Sequence, residues 1–177
     1  MNATKNTSKK TIGEYILDLN DPTLDIRHTA VHALAGFGAG AVDPLISALA
    51  TATDNDQRWY AAISLSKIGA PAIRPMLFAM SEHTDRDFRR YAAAALGEMG
   101  EPAIEPLIDA MATDDRDLRG FFSRALCRIG KPAVEPLTRR LSDANEIISS
   151  CATLTLWQMG ETGLPAMVDT LQQNPDT

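Results

Sequence analysis

An octapeptide with the pattern Gly-x-Pro-Ala-apolar-x-Pro-apolar recurs along this chain of 177 residues. Three copies keep the whole pattern and start at Gly69, Gly100 and Gly130, while two weaker copies start at Gly38 and Gly160. The leading glycines lie 31, 31, 30 and 30 residues apart. A fixed period of this length is typical of proteins built from stacked supersecondary units, none of which can bury its apolar face alone.

Two further positions, each of which we call a column when its equivalents in all units are aligned, recur with the same period. One column contains arginine in four units, at Arg27, Arg58, Arg89 and Arg119, with Ser149 at the fifth position. The other contains leucine in all five units, at Leu34, Leu65, Leu96, Leu126 and Leu156. Because three columns share one register, the sequence predicts five units with a common structure.

Each unit has the pattern of two helices. An aspartate-rich turn opens the unit, and such side chains cap helix starts and complement the positive end of the helix. In the third unit, apolar residues follow the helical period over 88–99, and Gly100 ends that helix because glycine adopts positive φ without steric cost. The second helix of that unit has one apolar face, formed by Ile104, Leu107, Ile108 and Met111. No stretch alternates long enough for a strand, so the chain is predicted to be all-α.

The N-terminus fits the same scheme as a half-repeat. Residues Ile12, Tyr15, Ile16 and Leu19 match the second-helix positions Val42, Leu45, Ile46 and Leu49. We therefore expect one right-handed α-solenoid over residues 11–173, made of five helical hairpins that follow a lone N-terminal helix. Residues 1–10 and 174–177 are expected to be polar tails.

The repeat also resembles a known one. Asp-x-Arg, then alanine and leucine at helical spacing, then Gly-x-Pro-Ala-x-x-Pro-Leu, is similar to the short HEAT-like repeat of the phycobilisome lyase type. The resemblance spans almost the whole chain, from about residue 11 to residue 173. It implies a HEAT-like fold, and it implies a role shared by lyases, chaperone-like factors and plain scaffolds rather than one particular activity.

The composition of the chain limits the classes of partner that the protein is expected to bind. The formal charge of -6 disfavours nucleic acid, since protein affinity for nucleic acid comes mainly from neutralising phosphates. Lysines 5, 9 and 10 form only a short basic cluster. No run of about 18 apolar residues is present, which argues against a membrane span, and the polar first ten residues lack the apolar core of a signal peptide. A cytoplasmic protein is the expectation.

No catalytic or metal-binding constellation is predicted. The Asp/Arg ladder (Asp25 with Arg27 and its equivalents) recurs in every inner unit, which favours structural hydrogen bonds because active sites are singular. His28 and His32 share one helix face but lack the third ligand that a metal site requires. Phosphate-binding and nucleophile motifs are absent from the sequence, and no cofactor is expected.

Two surfaces are candidates for binding a partner. On the outer side of the first helices, Trp59 and Ile63 are large apolar residues outside the core stripe, as are Leu154 and Trp157 in the fifth unit. The second helices are expected to line the concave side, where one outward column contains Phe78, Asp109 and Arg139 and the next contains Arg140. That second column also contains Ala48, Ala79 and Ala110, which are expected to leave room for a partner.

These features predict a non-enzymatic interaction module that holds a protein partner in its concave groove, for example as an assembly or maturation factor. The predicted partner-binding residues are Phe78, Asp109, Arg139, Arg140, Trp59 and Ile63. An alternative follows from the resemblance to bilin lyase subunits. It is a tetrapyrrole-handling assembly factor or cofactor-attachment enzyme, in which Phe78 would line an apolar slot and Arg139 and Arg140 would bind propionates.

Overall fold

The structure is a computed structural model that describes residues 10–173, so most of the predicted N-terminal tail (residues 1–9) and all of the C-terminal tail (174–177) lie outside the described residues. Within the described part the chain forms eleven α-helices and no β-strand, as the repeat pattern predicts. The helices are α1 Ile12–Asp18, α2 Leu24–Gly36, α3 Val42–Thr51, α4 Asn55–Ile68, α5 Ala70–Glu82, α6 Arg86–Met99, α7 Ile104–Ala110, α8 Arg116–Ile129, α9 Val134–Arg139, α10 Glu146–Gln158 and α11 Leu164–Gln173. None of these helices is long and apolar enough to cross a bilayer.

The helices stack in two layers. Helices α2, α4, α6, α8 and α10 pack each against the next and form the first-helix layer. Helices α1, α3, α5, α7, α9 and α11 do the same and form the second-helix layer. Each helix therefore contacts its equivalents in the neighbouring units as well as its hairpin partner. This arrangement is an α-solenoid of five hairpins that follow one lone helix, and it confirms the predicted fold class.

The core runs between the two layers as one continuous cluster from α1 to α11. All five residues of the leucine column are completely buried within it. Tyr60 and Phe121, which occupy equivalent positions of α4 and α8, are buried as well. Helical periodicity also predicts that Ile26 belongs to the buried face of the first unit's first helix, but Ile26 is 38% exposed in the structure. Its helix, α2, is the first member of its layer and has no preceding first helix to cover it.

The aspartate-rich turns cap the first helices as expected. Asp54, Asp85 and Asp115 each accept a hydrogen bond from the backbone N–H group three residues ahead. Asn145 performs the same function for α10. Each cap satisfies a helix-start N–H group that otherwise lacks an intrahelical partner, and this fixes where the first helix of each unit begins.

The glycine of each octapeptide separates the two helices of a hairpin. Gly100 has φ 73° and ψ -143°, a combination that side-chain-bearing residues avoid, and Gly69 and Gly130 have nearly the same conformation. Pro102 lies in a short 3-10 turn just before α7, and Pro106 lies in the first turn of α7, where a missing N–H group breaks no helical bond. In the second unit α5 starts earlier, at Ala70, and Pro75 lies inside that helix.

Candidate functional site

Arginines 27, 89 and 119 of the ladder contact adjacent turns or units, whereas the buried Nε atoms of Arg27 and Arg58 have no hydrogen-bond partner among the described residues. Arg89 is almost fully buried, and its Nε atom donates to the backbone carbonyl oxygens of Met80 at 3.1 Å and His83 at 2.7 Å. Its guanidinium also lies 2.8 Å from the carboxylate of Asp115 in the next unit. Arg27 also makes an ion pair with the next unit, at 3.1 Å from Asp56, which lies two residues beyond the counterpart of Asp115. These contacts support the structural role that recurrence of the ladder predicts.

The six predicted partner-binding residues do not form one site. Trp59 and Ile63 lie on α4, in the first-helix layer. Phe78 lies on α5 and Asp109 on α7, and Arg139 ends α9 with Arg140 directly after it, all in the second-helix layer. The structure therefore contains two separate candidate surfaces, on opposite layers of the solenoid, which can be judged independently.

On the second-helix layer, the arginine pair already has carboxylate partners. Arg140 lies 2.9 Å from Glu105 and 3.0 Å from Asp109, and it also pairs with Asp143 at 3.1 Å. The hydrogen bond to Glu105 is the main cause of a raised pKa for Arg140. Arg139 in turn pairs with Glu105 at 3.1 Å. This network of carboxylates from the same chain disfavours the predicted use of the pair as a clamp for an external anion.

The alanine column does not form the expected open space. Ala48 and Ala79 are buried, and Ala110 is half-buried, because the column faces the neighbouring helices of the layer rather than solvent. The adjacent column is exposed as predicted, and Phe78 within it is 69% exposed. Phe78 lines an open pocket of about 340 Å³, whose other lining residues do not include Arg139 or Arg140.

The first-helix layer contains a row of three pockets on its outward side, which we call the first-helix face. Between α4 and α6, a small pocket of about 20 Å³ is lined in part by Trp59 and Ile63. A pocket of about 190 Å³ follows between α6 and α8. The largest, of about 670 Å³, lies between α8 and α10. Arg128 lines both of the first two pockets, so the depressions adjoin along the face.

We refer to the largest of these as the α8/α10 pocket. One side is apolar, with Ile147 and Leu154, and the opposite side contains Gly120. A hydrogen-bonded group forms another part of the wall, in which Ser123 Oγ lies 2.9 Å from both Thr155 Oγ1 and Gln158 Oε1. The remaining lining residues are Arg116, Arg119, Glu146, Ser150 and Cys151. A pocket of this size and mixed polarity falls in the range of sites that hold a small molecule or several side chains.

Neither cysteine is an activated thiol. Burial raises the pKa of Cys151, although the positive charge of Arg119 partly opposes the effect. Burial likewise raises the pKa of Cys127, and a hydrogen bond with Ser123 partly opposes that shift. A thiol with a raised pKa is less often in its nucleophilic thiolate form at neutral pH. Within residues 10–173, no group of three or more histidine, cysteine, aspartate or glutamate side chains is arranged to hold a metal ion.

Positive charge is concentrated on two neighbouring first helices. Helices α6 and α8 together contain seven arginines against three acidic residues, although the whole chain has a charge of -6. Three of the seven, at positions 86, 116 and 124, are exposed and have no ion pair among the residues that the structure describes. The guanidinium of Arg124 lies over the ring of Phe121, 5.3 Å from its centre.

The sequence pattern alone does not predict the α8/α10 pocket. The signal was Gly120, a glycine inside a helix, in the outward column that contains Trp59 and Arg90 in other units. A Cβ atom placed at Gly120 would meet no atom within 4 Å, so packing does not require glycine there. A helix-interior glycine that packing does not require leaves the adjacent helix surface without a side chain, although it costs helix stability relative to alanine.

The helix stacking defines the class of the protein as an α-solenoid of helical hairpins. The family model for HEAT repeats matches residues 42–121, which is less than half of the chain. No curated protein matches at a significant level.

Among solved structures, an engineered protein from a structural genomics consortium is 18% identical, with a TM-score of 0.37, over 96% of this chain and 90% of that one. A designed armadillo repeat protein is 16% identical, with a TM-score of 0.34, over 94% of both chains. At such low similarity, the evidence for the fold is the helix stacking of this chain itself.

Proposed function

We propose that this protein is a non-enzymatic interaction module that holds a protein partner on its first-helix face. The observation that carries the proposal is the row of three pockets along that face, of which the α8/α10 pocket is the largest. Exposed Trp59 lies at one end of the row, and exposed Leu154 and Trp157 lie at the other. Large apolar side chains that are exposed beside surface pockets are characteristic of protein contact sites.

The choice of face differs from the groove that the sequence favours. On the second-helix layer, Phe78 is an exposed aromatic residue, but the charged residues near the end of that layer are paired with one another. On the first-helix face, three exposed arginines remain without ion pairs among the described residues. An interface gains from charges that are not already neutralised within the free protein.

The proposed function extends to a more specific role, and one alternative function can be compared with it. A role as an assembly or maturation factor is consistent with a module that binds another protein, and the phycobilisome-lyase subtype stays a prediction from the repeat alone. The tetrapyrrole alternative requires one slot that combines Phe78 with Arg139 and Arg140. Phe78 lines a pocket that contains neither arginine, so the geometry gives that alternative no support.

A capture experiment with matched variants tests the proposal. Trp157 on the first-helix face is 62% exposed and Phe78 on the second-helix layer is 69% exposed, so substitution by glutamate removes a similar aromatic surface from either side. The immobilised wild-type protein, the Trp157→Glu and Trp59→Glu variants and the Phe78→Glu variant are each incubated with lysate from the source cells. Bound proteins are quantified by mass spectrometry.

We expect the wild-type protein and the Phe78→Glu variant to retain the same partner, and the two tryptophan variants to lose most of it. Circular dichroism checks that all variants keep their helix content. Loss of the partner only in the Phe78→Glu variant would move the interface to the second-helix layer. Equal recovery from all variants and from bare resin would reject the interaction module itself.

A further inference from the structure

The outward stripe of α8 has a gap between two arginines. Arg116, Gly120 and Arg124 are four residues apart, so they lie above one another on one side of the helix, separated by about one turn each. All three are exposed, and neither arginine has an ion pair within residues 10–173. Gly120 has no side chain, and the space where its Cβ would lie is empty.

This gap opens directly into the α8/α10 pocket. Gly120 and Arg116 line the pocket on the α8 side, and exposed Leu154 lines it from α10. On the other side of α8, Arg124 lines the pocket between α6 and α8. A chain that crosses α8 at Gly120 would therefore have one pocket on each side of the crossing point and one arginine one turn away in either direction.

We propose that the α8/α10 pocket receives a bulky apolar side chain from an acidic segment of the partner protein, which crosses α8 at Gly120. Carboxylates next to that side chain bind Arg116 and Arg124. This proposal rests on the proposed function, since it specifies the chemistry of the partner that the first-helix face holds. Charge complementarity favours an acidic segment, because α6 and α8 carry a strong excess of arginine on an otherwise acidic protein.

The charge distribution favours a protein segment over nucleic acid. Arg89, Arg90 and Arg128 on these helices are already paired with carboxylates, at Asp115, Asp87 and Glu98 respectively. Few cations remain to neutralise a phosphate backbone, whereas one or two carboxylates beside an apolar anchor need no more than Arg116 and Arg124.

The test selects ligands without assuming a partner. A phage-displayed library of random dodecapeptides is panned against the full chain, and enriched peptides are synthesised with a fluorescein label for anisotropy titrations. We expect the enriched sequences to share a leucine, phenylalanine or tryptophan next to aspartate or glutamate. Enrichment of basic sequences, or no enrichment over bare resin, would overturn the proposal. Tighter binding of a labelled single-stranded oligodeoxythymidylate than of any peptide would also overturn it, in favour of nucleic acid.

Point variants test whether the peptide binds where the proposed segment crosses α8. Gly120→Leu fills the gap without a backbone clash, and Arg116→Glu reverses one of the two flanking charges. Each is expected to weaken peptide binding at least about tenfold, the scale of an interface hot spot. The matched control is Arg74→Glu, which reverses an exposed arginine on α5 in the opposite layer and is expected to change affinity less than about twofold. Thermal melts confirm that all three variants fold.

Cys151 provides a second, independent measurement of location. It lines the α8/α10 pocket, whereas Cys127 does not, so a Cys127→Ser background leaves one thiol as a reporter. We expect saturating peptide to slow alkylation of Cys151 by iodoacetamide at least about fivefold, since the occupant covers the thiol. Unchanged alkylation with bound peptide would place the peptide elsewhere and overturn the proposal.

The failure of this inference can be separated from the failure of the proposed function. Trp59 and Trp157 do not line the α8/α10 pocket, so their glutamate variants probe the face without altering the crossing point. Partner capture that is lost in those variants but unchanged in Gly120→Leu and Arg116→Glu would reject the crossing point alone. Capture that is unchanged in all four variants would reject both proposals.

Discussion

Gly120 and Gly163 are both glycines within helical surroundings, but a side chain at each position would meet a different environment. At Gly120 a Cβ atom would meet nothing within 4 Å. At Gly163, in the turn before α11, it would overlap the backbone carbonyl oxygen of Leu156. Backbone atoms cannot move aside as the end of a flexible side chain can, so only the second glycine is required by packing.

Replacing Gly120 by alanine is expected to stabilise the protein. Glycine in a helix interior is less favourable than alanine by about 0.5–1 kcal/mol, mainly through backbone entropy, and no contact opposes the gain. Urea denaturation should therefore show a higher midpoint with an unchanged slope. A lower midpoint would mean that Gly120 has a packing role that the structure does not show.

Replacing Gly163 by alanine is expected to destabilise the protein. The added methyl group overlaps the Leu156 carbonyl, so the α10–α11 connection must shift, at a cost of about 1–3 kcal/mol. The same urea titration provides the comparison, with Gly120→Ala as the control for a general effect of alanine. Equal midpoints for the Gly163→Ala variant and the wild-type protein would indicate that the connection relaxes freely.

At the scale of helices and turns, Arg89 connects three elements. Its side chain satisfies two backbone carbonyl oxygens at the end of α5 and pairs with Asp115 at the start of α8, all from a buried position on α6. Arg27 holds the same place in the ladder, but its partner Asp56 is largely exposed. The two arginines therefore contribute differently to stability although they occupy the same position of the repeat.

Replacing Arg89 by methionine should lower the free energy of unfolding by about 2–3 kcal/mol, because buried carbonyl groups lose their donors. Methionine keeps most of the apolar stem, which limits the loss of packing. The Arg27→Met change should cost about 1 kcal/mol or less, because the partner Asp56 is largely exposed and the buried Nε atom of Arg27 has no hydrogen-bond partner among the described residues. Chemical denaturation of both variants checks this order, and a larger loss for Arg27→Met would contradict it.

Asp115 makes part of the stability dependent on pH. The hydrogen bond from the Leu118 backbone, followed by the contact with Arg89, lowers the pKa of Asp115. A carboxyl group with a lowered folded-state pKa stabilises the fold above its unfolded pKa, and that contribution disappears as the pH falls through the folded value. Asp115→Asn keeps a capping side chain but removes the charge.

We expect the Asp115→Asn variant to be less stable than the wild-type protein at neutral pH and to lose less stability on acidification. The measurement is the denaturation midpoint at pH 7 and at about pH 3, below the ordinary pKa range of aspartate. Parallel losses in both proteins would show that Asp115 does not contribute to the acid sensitivity.

For the whole molecule, the repeat made the fold predictable. The register of Leu34 through Leu156 identifies the buried row, and the aspartate turns identify where first helices begin, since both features depend on local sequence and repeat in every unit. The candidate site does not repeat. The α8/α10 pocket depends on Gly120 and Leu154, which lie on different helices, and the pairing of Arg140 with Glu105 depends on how two neighbouring second helices approach. The periodicity of a single sequence does not give the distance between Gly120 and Leu154 or the distance between Arg140 and Glu105.

The burial of the alanine column has the same origin. Helical periodicity places Ala48 and Ala79 next to the exposed column of Phe78, and a wheel drawn for one helix assigns both columns to solvent. In the solenoid α3 and α5, which contain these two alanines, each have a neighbouring second helix on either side, and these neighbours cover the flanking column. The number of neighbours, rather than the hydrophobic pattern of one helix, determines how wide the exposed stripe is.

Neighbour number also predicts how stability is distributed along the solenoid. Helices α6 and α8 have a packed equivalent on both sides, whereas α1 has one on a single side and contains no buried residue. In a linear array, the end units lack one interface and open at lower free energy than the inner units. We therefore expect amide hydrogen exchange, followed by mass spectrometry at neutral pH, to be slowest in α6 and α8 and fastest in α1 and α11.

The Gly120→Ala variant should slow hydrogen exchange further in α8 while leaving exchange in α1 unchanged, because α8 and α1 share no interface through which the stabilisation could act. Uniform protection from α1 to α11 would mean that the five hairpins unfold as one unit, in contradiction to the nearest-neighbour packing.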